Sequence, residues 1–245
     1  MTKSYTRRET LKLMGSAAVG SQVVSGRVPL AAQGPSTSRV LRDVDMRGLF
    51  VILATPYAES GAVDFDDLAF QVNWLDHAGA HGLVWPQNSS DYTRLTTREI
   101  MQGMEVLAEA NQNRSMTLCL GVQQDTTSDM VRLARYAETL EPDMVIAMPP
   151  KVGSSLQDYR EYYSALAEVT SRPVMLQTQP NLPGIEFKTE FILELADQYP
   201  HLGYVKEEAQ PVFDRIQALV GQPQIKRVFS AMRGRYFAYD LRLGV

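Results

Sequence analysis

The chain has 245 residues, 44% of them hydrophobic and 21% charged, enough apolar material to bury one large core without dividing the folded part into several domains. A formal net charge of -4 and a pI near 5.5 exclude a basic field for a nucleic-acid backbone, and no cluster of Lys and Arg interleaved with aromatics occurs along the folded part. A single cysteine, Cys119, excludes an internal disulfide framework, and its place inside the apolar run "MTLCLG" reads as a small packed core residue rather than a reactive thiol.

Residues 1–38 read as a targeting segment and linker, and residues 39–245 as the folded domain. The stretch "SYTRRETLKLMGSAAVGSQVV" pairs Arg7 with Arg8 ahead of a modestly apolar segment containing Gly and Ala, and "VPLAAQG" follows with small residues around Ala31 and Ala32. This pattern resembles a bacterial twin-arginine export signal in which "ETL" stands where a phenylalanine is usual, and it implies delivery of an already folded protein to the periplasm. The segment is too short and too weakly apolar for a spanning helix, and no later segment is suited to crossing a membrane.

From Arg47 onward, short apolar runs alternate with longer amphipathic ones. The strand-like runs are "GLFVILATP", "GLVWP", "MTLCLGV", "DMVIAMPP", "PVMLQTQP", "LGYVKE" and "KRVFS", each nearly continuous in apolar residues as buried parallel strands are. Between the first two lies "DFDDLAFQVNWLDHAGA", whose Phe65, Leu68, Val72 and Leu75 share one helical face behind a capping Asp64. After "GLVWP" comes "LTTREIMQGMEVLAEA", where Thr96 and Glu99 have capping-box spacing. The stretches "SDMVRLARYAETL", "SLQDYREYYSALAEV", "TEFILELADQY" and "PVFDRIQALV" continue the alternation, and Tyr159, Tyr162 and Tyr163 are predicted to pack against the sheet or a neighbour.

A strict strand–helix succession predicts an α/β fold with a parallel sheet, as a doubly wound sheet or a barrel. Seven strands without a long break favour a (β/α)8 TIM barrel that is incomplete by one unit, because "GRYFAYDLRL" runs into "GV" where an eighth strand would begin. Such a sheet exposes hydrogen-bonding edges on its first and seventh strands, so truncation is the favoured reading and self-association an alternative way to cover the gap. Neither a G-x-G-x-x-G turn nor a P-loop is present, and no cofactor is expected. His77 and His81 are four apart, but Gly79 lies between them and a third ligand is lacking, so they read as surface or packing histidines and no metal site is expected.

In a barrel the chemistry sits at the C-terminal strand ends, which here carry Thr55, the Gln87–Asp91 loop, Gln123, Lys151, Gln177, Lys206 and Ser230. Together with "LATPYAESGAVDFDDL", "SSDYTRLTTRE", "DMVIAMPP", "PVMLQTQP" and "GYVKEE", this set resembles the dihydrodipicolinate synthase and N-acetylneuraminate lyase family of class I aldolases over about residues 45–245. The resemblance implies a Schiff base between the strand-six lysine, Lys206, and a 2-keto acid, usually pyruvate. The physics agrees: an amine beside apolar Val205 near a barrel mouth is partly dehydrated, which disfavours its charged form and frees it to attack a ketone. Glu207 and Glu208 could tune that amine, although glutamates opening a strand-to-helix loop ordinarily read as solvated or dipole-facing charges.

The departures from the family are specific. Its Gly-Thr-Thr-Gly-Glu loop, which holds the substrate carboxylate, reads Gln87-Asn88-Ser89-Ser90-Asp91, in which Asn88 and Ser89 can still donate hydrogen bonds. Its strand-five relay tyrosine is Gln177, which cannot serve as a general acid or base, leaving Tyr92, Asp91 and Tyr57 as named relay candidates. The tyrosine lent by a neighbouring subunit falls near Lys151 and Val152 and is absent. An arginine that binds the second substrate falls on Leu182, so dihydrodipicolinate synthesis itself is not expected. The expected activity is a Schiff-base lyase on a pyruvate-type or sugar-acid-derived 2-keto acid, with Thr55, Asn88, Ser89, Gln177 and Ser230 binding substrate; the alternative is a family-derived small-acid binder or structural subunit without turnover. Family resemblance also implies a homo-oligomer, a dimer or tetramer.

Overall fold

The computed structural model describes residues 46–151, 155–179, 187–231 and 234–245, all within the compact unit Ser38–Val245. The export-signal segment, Val152 and Leu182 therefore lie outside the described residues. Every apolar run named above becomes a strand: β1 Phe50–Ile52, β2 Gly82–Trp85, β3 Thr117–Gly121, β4 Met144–Ala147, β5 Val174–Gln177, β6 Tyr204–Glu207 and β7 Arg227–Ser230. Between them lie the helices α1 Phe65–His77, α2 Thr97–Asn111, α3 Thr127–Thr139, α4 Leu156–Val169, α5 Thr189–Gln198 and α6 Val212–Leu219, with α7 Phe237–Leu243 after the last strand. The strands form one parallel seven-stranded sheet in chain order, the order of a barrel and not of a doubly wound sheet, whose strand order reverses at a switch point.

Capping explains where the helices begin. Asp64 accepts a hydrogen bond from the Asp67 amide at 3.0 Å, and Thr96 and Glu99 close a reciprocal box. Two hydrogen bonds from Thr96, backbone first and then hydroxyl, hold the Glu99 carboxyl below the usual carboxylate range. Thr126 and Ser155 cap α3 and α4 by the same chemistry, accepting from the amides of Asp129 and Asp158.

Two apolar cores separate the faces of the sheet. The larger lies between sheet and helices and contains Leu68, Leu83, Leu118, Val145, Leu176 and Val205. It takes up the three α4 tyrosines, all buried. The smaller fills the concave side with Val84, Cys119, Met144, Ile146, Met175 and Phe229, joined by Phe50, Ile52 and Tyr204. Phe50 of β1 and Phe229 of β7 meet edge to face at 4.9 Å between ring centroids. The sheet has therefore curled until aromatic side chains of its first and last strands touch, an incomplete (β/α)8 barrel whose interior is packed with side chains.

Two glycines are dictated by close approach. In α2, Gly103 faces the Trp85 ring, whose nearest atom would stand 2.3 Å from an added Cβ, so the indole occupies the space a larger residue would fill. At the end of β3, a Cβ on Gly121 would lie 2.0 Å from the Pro86 carbonyl oxygen, a backbone atom that cannot swing away. Gly121→Ala is accordingly expected to push β2 and β3 apart at their C-terminal ends and to destabilise by about 1–3 kcal/mol, read as a lowered midpoint in denaturant unfolding. An unchanged midpoint would show that the two strand ends yield freely.

Candidate active site

Because the sheet is parallel throughout, the C-terminal ends of all its strands open on one rim. Side chains alternate across a strand, so in β6 Val205 joins the helix-facing core while Tyr204 packs with the interior cluster and Lys206 follows it inward. Lys206 pairs in register with Gln177 of β5 and Phe229 of β7, which places its amine in a layer above Cys119 and Met175. Only 10% of the Lys206 side chain is exposed, and its Nζ lies 3.0 Å from Oε1 of Glu208. Burial pushes the Cys119 thiol far up, with Lys206 pulling weakly the other way, so the cysteine remains an uncharged packing group.

Gln177 is buried, and its Oε1 has no hydrogen-bond partner among the described residues. A buried amide oxygen left unpaired costs about 1–3 kcal/mol, so this position is poised for a donor. Gln87 has a similar orphaned Oε1, while its Nε2 donates to Gln123 Oε1 at 2.8 Å and Gln123 in turn donates to the Pro86 carbonyl at 2.8 Å. Sequence reasoning gave neither Gln87 nor Gln123 a binding role; the available signal was an uncharged polar residue two places past the end of a buried strand.

Around the ends of β1 and β2 the structure assembles a second group. Thr55 donates its only hydroxyl proton to the Ser90 carbonyl and accepts from Trp85 Nε1 at 3.1 Å, so it fastens β1 to the loop after β2 and has no proton left for a substrate. Ser90, buried, donates to the Leu53 carbonyl at 2.6 Å and accepts from the Gln87 amide at 3.0 Å. That loop forms a 3-10 turn, Asn88–Ser90, which leaves the amide of Asn88 and the hydroxyl of Ser89 exposed, followed by Asp91 in the left-handed region at φ 54°. Burial, and secondarily Asp125, pushes the Tyr92 hydroxyl up to about 12, so this phenol is a donor and not a base at neutral pH. Its ring lies beneath Lys151 Nζ, 5.4 Å from the centroid. Tyr57 is half exposed, and its hydroxyl is raised by partial burial and then by Asp91.

Two expectations need correction. Ser230 pairs in register with Glu207 rather than Lys206, so it belongs to the layer turned toward the helices and is not brought to the amine. Glu207 itself is not a solvated charge: it is fully buried and accepts from Thr178 Oγ1, from the Ala209 amide at 2.7 Å and from Arg215 Nη2 at 3.2 Å, with Arg215 Nε 3.1 Å away. Arg215, on α6, also donates to the Phe187 carbonyl at 2.6 Å, and Thr178 accepts from the Glu208 amide at 2.7 Å. This closed network clamps the loop after β6 from behind the sheet. Its members face away from Lys206 because odd and even strand positions face opposite ways. His77 and His81 each bond a backbone group, His77 Nδ1 with the Asn73 carbonyl at 2.8 Å and His81 Nδ1 with the Leu49 amide at 3.2 Å.

The comparisons with known proteins agree with this architecture. An uncharacterised DapA-like lyase of Pyrococcus horikoshii is 26% identical over 207 residues, which cover 81% of this chain and 69% of the relative. The 4-hydroxy-tetrahydrodipicolinate synthase of Methanocaldococcus jannaschii is 23% identical over 180 residues, covering 73% of this chain and 61% of the synthase. Among solved structures, YagE of Escherichia coli K12, a prophage protein of the dihydrodipicolinic acid synthase family in complex with pyruvate, superposes with a TM-score of 0.74 at 17% identity, over 81% of this chain and 67% of that one. The chain thus spans between about three fifths and seven tenths of the length of these relatives. With the Dihydrodipicolinate synthetase family profile matching residues 45–229, on the same strands that hold Lys206 and Gln177, the chain belongs to that family.

Proposed function

We propose that the protein is a class I lyase that joins Lys206 to the ketone carbon of a small 2-keto acid and uses the resulting iminium as an electron sink for breaking or making the neighbouring carbon–carbon bond. The observation that carries this reading is the Lys206 amine, turned into the concave side of the sheet, nine-tenths shielded and level with Gln177. Asn88 and Ser89 hold the substrate carboxylate with their side-chain donors, and Gln177 accepts a hydrogen bond from a substrate hydroxyl or a water on its orphaned oxygen. Thr55 contributes by fixing the loop that carries Asn88 and Ser89, through the Ser90 carbonyl. Tyr92 suits a donor's part at the rim, its proton held by burial and by Asp125, and Asp91 acts in the same direction on Tyr57. The paired Arg7 and Arg8 support export to the periplasm, which cell fractionation after replacing both by lysine would test as retention inside the cytoplasm.

Borohydride added in the presence of pyruvate or glyoxylate, followed by mass spectrometry of the Lys206 peptide, tests the reaction. The expected result is a reduced adduct on that peptide alone. An unmodified Lys206 with each keto acid would overturn the lyase reading and leave a small-acid binder without turnover.

A further inference from the structure

We propose that Glu208 is the proton-transfer residue of the Schiff-base step, taking the part that Gln177 cannot play. The assignment rests on the lyase reading above and deepens it. Four observations support it. Glu208 Oε1 lies 3.0 Å from Lys206 Nζ, within direct proton-transfer distance of the reacting nitrogen. An amide at 177 neither takes up nor releases a proton at ordinary pH, and Tyr92 is committed to its protonated form. The carboxylate is also presented from a fixed backbone: the Glu208 and Ala209 amides both donate to Thr178 Oγ1, at 2.7 and 3.1 Å, and Ala209 donates again to Glu207, which Arg215 grips. Side-chain exposure rises from 10% at Lys206 to 20% at Glu208, so the amine is the drier partner and the carboxylate faces the route to water.

The proton balance closes on these two residues. Lys206 ammonium gives one proton to the Glu208 carboxylate, and the freed nitrogen lone pair forms a C–N bond to the ketone carbon as the C=O π pair moves onto oxygen. The added nitrogen then passes a proton to that oxygen, giving a neutral carbinolamine. Glu208 returns its proton to the hydroxyl, the C–O bond breaks with loss of water, and the nitrogen lone pair completes the C=N bond. The products are an iminium cation, one water and the Glu208 carboxylate, which is left paired with the new positive charge as it was with the ammonium.

Rapid mixing of the full chain with pyruvate, quenched with borohydride at successive times, reads the rate of adduct formation on Lys206. Glu208→Gln keeps size and removes the proton, and is expected to slow the rate roughly 100-fold, with Glu208→Asp recovering part of it. Glu208→Ala is expected to be equally slow and to be accelerated by added formate, an effect that a merely structural role would not produce and that covers the case of a poorly folded glutamine variant. Adduct formation by Glu208→Gln at the wild-type rate, or a slow Glu208→Ala that formate leaves unchanged, would overturn the assignment while the lyase reading stands. No adduct on the wild-type protein would overturn both.

Discussion

Replacing Lys206 by methionine is expected to abolish the borohydride-trapped adduct and to reduce carbon–carbon lyase turnover by at least about 1000-fold, because no other amine lies in the Gln177 layer of the strands paired with β6. The same variant should be no less stable than the wild type. Lys206 projects beside Phe229 and above Cys119 and Met175, and a methionine can follow the same course along these apolar side chains without a charge to desolvate. Glu208, one fifth exposed, loses its partner but keeps contact with solvent. An unfolding midpoint equal to or above that of the wild type, together with lost trapping, would display the cost in stability that an active-site amine imposes. Turnover within tenfold of the wild type would instead show that the chemistry does not pass through this residue.

The largest loss of stability is expected from the network behind the sheet. Removing one member of a buried ion pair leaves the other charged and desolvated, which costs about 3–5 kcal/mol, a large share of the roughly 5–15 kcal/mol that holds a domain together. Glu207→Gln leaves Arg215 facing a neutral amide, and Arg215→Met leaves the fully buried Glu207 with only the Thr178 hydroxyl and the Ala209 amide. Each single change should therefore lower the denaturant midpoint strongly. The pair Glu207→Gln with Arg215→Met should be less damaging than the sum of the two, because neither charge remains. Both singles should also slow trapping at Lys206, since Thr178, Glu207 and the Ala209 amide set the loop on which Glu208 is carried. Single variants within 1 kcal/mol of the wild type in unfolding free energy would mean that water reaches this network and screens it.

Much of the scaffold could be read before any coordinates, for a physical reason that particular residues make plain. Strands buried on both faces must be apolar throughout, and helices packed on one side must be apolar every third or fourth residue. Hence "GLVW" and "MVIA" were recognisable as β2 and β4, and the Thr96–Glu99 box marked the start of α2 because its chemistry is local to four residues. Lys206 stood out for the complementary reason: a charge closing an otherwise apolar strand is costly unless it finds a partner, and Glu208 supplies one at 3.0 Å.

What the pattern could not carry was the facing of residues when both faces are buried. In "YVKE", Lys206 and Glu207 are adjacent and both charged, and nothing local says that the first enters the bowl and the second the helix layer; the register with Gln177 and Ser230 settles it. The same register turns Ser230 to the side of Glu207. Partners distant in sequence were equally invisible: Arg215 for Glu207, Trp85 for the hydroxyl of Thr55 and for the gap at Gly103, and Phe50 for Phe229 across the open edge.

The amino-acid order alone thus determined the succession of strands and helices and the rim on which polar residues gather, because each is written in hydrophobic period and strand termini. Only the tertiary structure decided which carboxylate stands beside the amine and which is sealed behind it, since that choice depends on how separate strands align and on side chains that meet across intervals of sequence no local rule spans.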